Sequence, residues 1–322
     1  MKAIIVHAFG EPEVMKYEDA PLPAVGAGQL LVRVEAAGVN YADTLARRGR
    51  YGSGRLPFTP GFEVCGIVEA VGAGVQGFRV GQRVMGIGSA GYAEYCVMSA
   101  DTALAVPEKW TPAEGAAFPV QFLTAYFALK GAGGEVKPGQ SVLVHAAAGG
   151  VGTAAVQMAK IMGAKVFATA SADEKLAKVK QLGADVCINY AREDFVPIVK
   201  AHTNGRGVDV IVETVGGEVF EKNFECLAAL GRVVVAGCAS GDARSVSGIQ
   251  LLAQGHTVAG LNLRYFATQP DLMQEALTTM FGWIQADVMR PIVGESHPLR
   301  DAAEAHRRME ARQTFGKIVL IP

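Results

Sequence analysis

The chain has 322 residues, more than one hydrophobic core usually serves, so two domains are expected. Its 30 Lys and Arg nearly balance 31 Asp and Glu, which argues against a nucleic-acid or membrane-surface partner. No apolar run reaches the ~18 residues of a spanning helix, the start MKAIIVHAFGEPEV is too short in apolar residues for a signal peptide, and five scattered cysteines without a C-x-x-C pair suit a reduced, cytoplasmic compartment.

Residues 1–110 read as β-rich. Short strands are predicted at Ala3–Val6, Leu30–Ala36, Gly61–Val71, Gly81–Met85 and Tyr92–Met98, divided by Gly and Pro turns, which suggests a compact, partly open barrel. Thr111 is the expected N-cap of a helix that starts at Pro112, and Phe122–Leu129 continues helically.

The stretch Ser141–Gly163 then reads as strand, tight turn, helix. Val142-Leu143-Val144 is the apolar strand, and Val151, Ala155, Met158, Ala159 and Met162 have helical spacing up to a stop at Gly163. Ala147, Gly149 and Gly152 fill the G-x-G-x-x-G positions, with Ala in the first. Such a turn brings backbone N–H groups and a helix N-terminus to a pyrophosphate; glycines also serve plain packing turns. Further strands at Lys165–Thr169, Asp185–Asn189, Val208–Glu213, Arg232–Ala236 and Thr257–Leu261 alternate with helices, as a doubly wound parallel sheet requires. Lys317–Ile321 is a strand without a sheet of its own and is expected to rejoin the first domain.

The strand Lys165–Ala170 has no acid at its end, where an NAD site usually places one. Ser171 and Lys175 there suit a 2′-phosphate, with Tyr190 a further donor, so NADPH is the expected cofactor. Ser171 and Glu174 also have capping-box spacing, and Lys175 also reads as a surface lysine.

The segments Ala37–Asp43, Phe118–Tyr126, His145–Gly152 and Gln313–Leu320 resemble the medium-chain dehydrogenase/reductase superfamily, specifically its zinc-free quinone oxidoreductase branch. Leu251–Phe266 is similar to the vesicle amine transport protein homologues of that branch. The resemblance spans the chain and implies an α/β fold. A GroES-like β-rich catalytic domain (1–122 with 263–322) would accompany a Rossmann doubly wound parallel sheet (123–262). Zinc relatives carry Cys and His where this chain has Asn40 and Phe62, and neither an amide nor a phenyl replaces a thiolate and an imidazole, so no metal is expected.

The resemblance further implies residue roles. Asn40 would lie near the nicotinamide ribose or the acceptor, and Thr124 against the nicotinamide. Gly149, Gly150 and Val151 would cradle the pyrophosphate, Gly237 and the segment 261–266 would border the nicotinamide, and Arg312 would touch the cofactor. Tyr51 would donate to the acceptor oxygen or simply pack on Pro57 or Phe58, and Asp43 would support its loop. Without a Lewis acid the acceptor is a quinone, whose reduction yields an aromatic ring, or an α,β-unsaturated ketone or enoyl thioester. Arg47, Arg48, Arg50 and Arg55 around Tyr51 keep a thioester substrate open, although such a run also suits a solvated loop. A third reading, an NADPH-binding scaffold with a structural or RNA-interacting role, is disfavoured by the balanced charge and the retained site residues. A homodimer paired through Thr257–Leu261 is expected from the same likeness.

Overall fold

The structure, a computed structural model, describes residues 1–52 and 55–322. In chain order it begins with β1 (Lys2–Val6), β2 (Met15–Asp19), β3 (Gln29–Val39), α1 (Tyr41–Arg47), β4 (Glu63–Val71), β5 (Arg83–Ser89) and β6 (Tyr95–Ala105). Helices α2 (Pro112–Ala116) and α3 (Pro119–Leu129) follow, then the short strands β7 (Lys130–Gly131) and β8 (Gly134–Glu135). Regular alternation comes next: β9 (Ser141–Val144), α4 (Gly150–Ile161), β10 (Lys165–Ala170), α5 (Asp173–Gln181), β11 (Val186–Asn189), α6 (Phe195–His202), β12 (Val208–Glu213), α7 (Gly217–Cys226), β13 (Leu227–Val235), α8 (Gly248–Gln254) and β14 (Thr257–Gly260). The chain closes with α9 (Leu263–Phe266), α10 (Pro270–Gln285), β15 (Val293–Pro298), α11 (Ala302–Glu310) and β16 (Lys317–Ile321). It divides into two compact units, Met1–Val120 with Pro291–Pro322, and Gln121–Arg290.

In the first unit β3 pairs with both β4 and β6, and β5 joins β4 to β6, so four antiparallel strands close on themselves. Closure leaves no free edge between them. Leu30, Val32 and Val34 recur at every second position of β3 and bury into the core beside Val64, Val68 and Val84. The tail strand β16 pairs antiparallel with β3, Ile318 opposite Val39, and β15 runs parallel to β16. The orphan strand of the sequence thus finds its sheet here. Thr111 caps α2 as expected: its hydroxyl accepts the Glu114 N–H at 3.3 Å while the Glu114 carboxylate accepts the Thr111 N–H at 2.8 Å.

The second unit holds a six-stranded parallel sheet in the order β11-β10-β9-β12-β13-β14. This is the doubly wound order of two mononucleotide-binding halves, and the chain reverses direction across the sheet beside β9. Val142, Leu143, Val144, Ile211 and Val212 are all fully buried, as continuous apolar strands covered on both faces must be. The sequence reading assigns 263–290 to the first domain, whereas the compact second unit runs to Arg290. Met273, Ala276 and Met280 bury one face of α10, and Trp283 lies 6.3 Å from the Tyr126 ring of α3. Among the described residues no helix is long and apolar enough to cross a membrane.

Candidate active site

The glycine turn lies at the C-terminal end of β9. Ala146 takes a left-handed φ of 47°, its carbonyl accepts the Gly149 N–H at 2.9 Å, and α4 starts at Gly150 with Gly149 as N-cap. The motif's glycines are not equivalent. A Cβ at Gly152 would meet the Ala146 carbonyl oxygen at 2.4 Å and the Ala147 Cα at 2.5 Å, and one at Gly150 would meet Gln121 Oε1 at 2.2 Å. At Gly149 the nearest atom would be 3.4 Å away, so that position does not require glycine for space. Gly150, Val151 and Gly152 occupy the first turn of α4, where N–H groups lack intrahelical acceptors. They form the positive end of a 12-residue helix.

A buried polar network supports this turn from below, and the sequence reading named only its histidine. His145 Nε2 lies 2.8 Å from Asn223 Oδ1, and Asn223 Nδ2 donates to Glu213 Oε2 at 2.5 Å. Because the Asn223 amide nitrogen is committed to the carboxylate, its oxygen must accept, so His145 Nε2 carries the proton. The Thr169 hydroxyl, 3.0 Å away, therefore donates to Nδ1. Burial lowers the His145 pKa, opposed by the Glu213 charge, and the ring stays neutral. Glu213 Oε1 in turn accepts the N–H groups of Val215 and Gly216 at 2.5 and 2.9 Å.

At the sheet edge, β10 and β11 run in parallel register with Ala170 opposite Asn189. Ser171 and Tyr190 therefore leave the ends of neighbouring strands together, and Tyr190 N–H donates to the Ala170 carbonyl at 3.1 Å. The capping box expected from Ser171 and Glu174 does not form, because Ala172 is the N-cap of α5 and no side chain caps it. Lys175 follows in the first turn of α5. Asp173, also in that turn, accepts from Asn189 Nδ2 at 2.6 Å and from Arg192 at 2.5 Å, two partners the sequence reading missed. Thr124 lies buried on α3, whose Phe127 stacks with Phe266 of α9 at 4.7 Å. Gly237 sits two residues past β13, with a virtual Cβ 3.3 Å from the Thr214 carbonyl oxygen. Arg312 lies just past α11 with a left-handed φ of 57°.

The first unit carries a second, charged network around Asn40. The Asn40 N–H and the Gly61 N–H donate to the two oxygens of Asp43, at 2.7 and 3.0 Å. Asp43 thus supports its loop, as expected. The Tyr92 hydroxyl donates to Asp43 at 3.2 Å and lies 3.1 Å from His306 Nε2. On the far side of that ring Arg47 stands 3.2 Å from Nδ1; an arginine only donates, so Nε2 bears the proton and donates to Tyr92. Burial, with Arg47 and Arg48 nearby, holds His306 down at about 3, and burial pushes Asp43 up to about 7. The Asn40 amide bonds Glu63 and Lys317, both buried, and the Lys317 ammonium also pairs directly with Glu63.

Tyr51 packs edge-on against Phe62, ring centres 5.7 Å apart. The arginine run is not a uniform basic surface. Arg47 is fully buried, bound to Glu310 at 2.7 Å and to the Gly10 carbonyl at 3.0 Å, and Arg48 pairs with Glu11 at 2.9 Å. The donors where zinc relatives hold their metal do not suit zinc. Asn40 offers an amide already bonded at both ends, Phe62 offers a ring, and Glu63 is tied to Lys317. Among the described residues no group of three or more His, Cys, Asp or Glu is arranged to hold a metal ion.

A closed β-barrel unit with a Rossmann sheet and glycine turn defines the medium-chain dehydrogenase/reductase class, and comparison with known proteins agrees. Residues 26–108 match the model of the alcohol dehydrogenase GroES-like domain, and residues 150–280 that of the zinc-binding dehydrogenases. The quinone oxidoreductase of Sus scrofa is 36% identical over 100% of this chain and 98% of its own length. A 2-haloacrylate reductase from Burkholderia sp is 34% identical over 99% of this chain and 98% of its own. A mycobacterial protein solved in complex with NADPH superposes with a TM-score of 0.95 at 37% identity, over 100% of both chains. The chain belongs to the quinone oxidoreductase family of the medium-chain dehydrogenases/reductases, and it is an enzyme.

Proposed function

We propose that this enzyme reduces quinones with NADPH and needs no metal ion. The observation that carries the reading is the edge beyond β10 and β11. Asp173, in the first turn of α5, is already bound by Asn189 and Arg192, Ser171 and Tyr190 follow the paired ends of β10 and β11, and Lys175 lies in the same first turn. A carboxylate so engaged repels a phosphate less than a free one, and two hydroxyls and an ammonium offer donors to it. The N–H groups of Gly150, Val151 and Gly152 hold the pyrophosphate, and Gly150 and Gly152 let α4 start close against Gln121 and the Ala146–Ala147 backbone, where a Cβ would collide. NADPH supplies the hydride when bound. Thr124, Gly237 and the 261–266 segment border the nicotinamide, Arg312 touches the cofactor, and Asn40 orients the acceptor. Tyr51, 40% exposed, donates its hydroxyl proton's hydrogen bond to the acceptor oxygen while its ring rests on Phe62.

A second reading has one observation in its favour: a relative of full-length similarity is named for reducing 2-haloacrylate, an activated alkene. An enone or enoyl thioester would take hydride at its β-carbon in the same site. With Arg47 and Arg48 committed to Glu310 and Glu11, the basic surface that a thioester's nucleotide would want is reduced. The expected assembly is a homodimer through the outer edge of β14, beside the exposed Leu230, Ile249 and Leu252. Light scattering reads it. The free cysteines suit the cytoplasm.

The deciding experiment is steady-state oxidation of NADPH and NADH with EDTA present, against a small quinone, an enone and crotonyl-CoA. Quinone turnover with NADPH, unaffected by EDTA, is expected. Preference for NADH would remove Ser171, Lys175 and Tyr190 from their roles. Turnover confined to the alkenes would establish the second reading.

A further inference from the structure

Lys317 and Glu63 are 1% and 0% exposed, and their ion pair spans 254 positions of sequence. Burying such a pair is no route to stability, since apolar side chains of similar volume usually do as well or better. The pair is not alone, however. Lys317 Nζ also donates to Asn40 Oδ1 at 2.9 Å, and Asn40 Nδ2 donates to Glu63 Oε1 at 2.9 Å. The three groups close a ring in which each touches the other two.

That ring settles something a neutral environment would leave open. An ammonium has only donors and a carboxylate only acceptors, so the Asn40 oxygen must face Lys317 and its nitrogen must face Glu63. A flipped amide would set oxygen against oxygen and N–H against N–H. The second Nδ2 hydrogen is then fixed in direction and not used by the ring. The other Glu63 oxygen accepts the Val120 N–H at 2.8 Å, at the start of α3, the helix that carries Thr124. Gly38 makes room for the carboxylate, because a Cβ there would stand 2.7 Å from Glu63 Oε1.

We propose that Lys317 and Glu63 are positioning residues, which hold the Asn40 amide in a single orientation so that its remaining N–H is presented to the acceptor or the nicotinamide ribose. The proposal rests on the reading that Asn40 acts at the reacting groups. It assigns to the last strand, otherwise a structural element, a part in the reaction geometry.

The test uses the full-length enzyme and three forms: wild type, Asn40→Ala, and the double variant Lys317→Met with Glu63→Gln. The double variant removes both charges at similar volume, and a glutamine pairs with the Asn40 amide in either orientation. It is expected to melt cooperatively and to bind NADPH as wild type does, while kcat with quinone falls about tenfold to a hundredfold. Asn40→Ala is expected to lose activity to a similar extent. Loss in Asn40→Ala with wild-type kcat in a folded double variant overturns the positioning role and leaves the functional reading standing. Wild-type kcat in Asn40→Ala removes Asn40 from the reaction, and the proposal falls with it. A second measurement needs no charge substitution. In 15N-asparagine-labelled enzyme, the side-chain resonance lost in Asn40→Ala should include one slowly exchanging N–H, the one held by Glu63. Fast exchange of both hydrogens overturns the fixed orientation.

Discussion

The two units each bury a polar network at their candidate site, and the networks are built on different principles. Around His145 the partners are a neutral ring, a hydroxyl and an amide that end on one carboxylate, Glu213, satisfied by N–H donors. Around Asn40 charges of both signs meet: Lys317 with Glu63, Arg47 with Glu310, and Asp43 within the same chain of bonds. The first network joins residues at most 78 positions apart, whereas the second, besides local links, is closed by bonds between residues 214 to 277 positions apart. A neutral network tolerates loss of a member at the scale of one hydrogen bond. A charged one leaves an uncompensated ion.

The largest effect should therefore follow from breaking a charge. Lys317→Met alone leaves Glu63 buried and unpaired and is expected to lose about 3–5 kcal/mol of stability, read by urea denaturation. Asn223→Ala, which cuts the neutral network between His145 and Glu213, should lose about 1–3 kcal/mol in the same assay. The reverse ranking would dissolve the distinction between the networks. Next comes Gly152→Ala, whose Cβ would press on backbone at Ala146 and Ala147 that cannot swing aside. An overpacking loss of about 1–3 kcal/mol is expected, with weakened NADPH binding by fluorescence titration, whereas Gly149→Ala should be milder in both.

The smallest effect concerns pH and sharpens the contrast within the charged network. The Asp43 pKa is raised from 3.8 to about 7, so its contribution is full below ~4 and is lost as pH climbs through about 7. The His306 pKa is lowered from 6.5 to about 3, so its contribution is full above ~6.5 and is lost as pH falls through about 3. Between these limits the two slopes oppose each other. Asp43→Asn should leave the His306 slope exposed, and Tm should then climb more steeply from pH 4 to 6.5 than in wild type. An unchanged slope in a thermal scan series would show that Asp43 is ionised throughout.

What the sequence disclosed follows the same division. The Rossmann strands announce themselves by unbroken apolar runs, and the glycine turn by its spacing between strand and helix, because each signal is local. Asn40 and Asp43 were visible as family motif, but Glu63 and Lys317 carry no local pattern that links them. Arg47 misled for that reason: a run of arginines reads as solvated, while the Glu310 that buries it lies 263 positions away. Ser171 and Glu174 misled in the other direction, since their capping spacing is purely local and α5 begins one residue later than it requires. The 263–290 segment gave no boundary signal, and only the packed face of α10 places it.

Pairing of β16 with β3 bears on how the protein is made. The second unit is one continuous stretch of chain, Gln121–Arg290, and has all its strands once that stretch has left the ribosome. The first unit is split, and Asn40 and Glu63 wait for a lysine synthesised more than 250 residues later. At 5–20 residues per second that wait is roughly 12–50 seconds. Through it the barrel carries an acid without its cation, so translation order lets the second unit mature first and completes the Asn40–Glu63–Lys317 ring last.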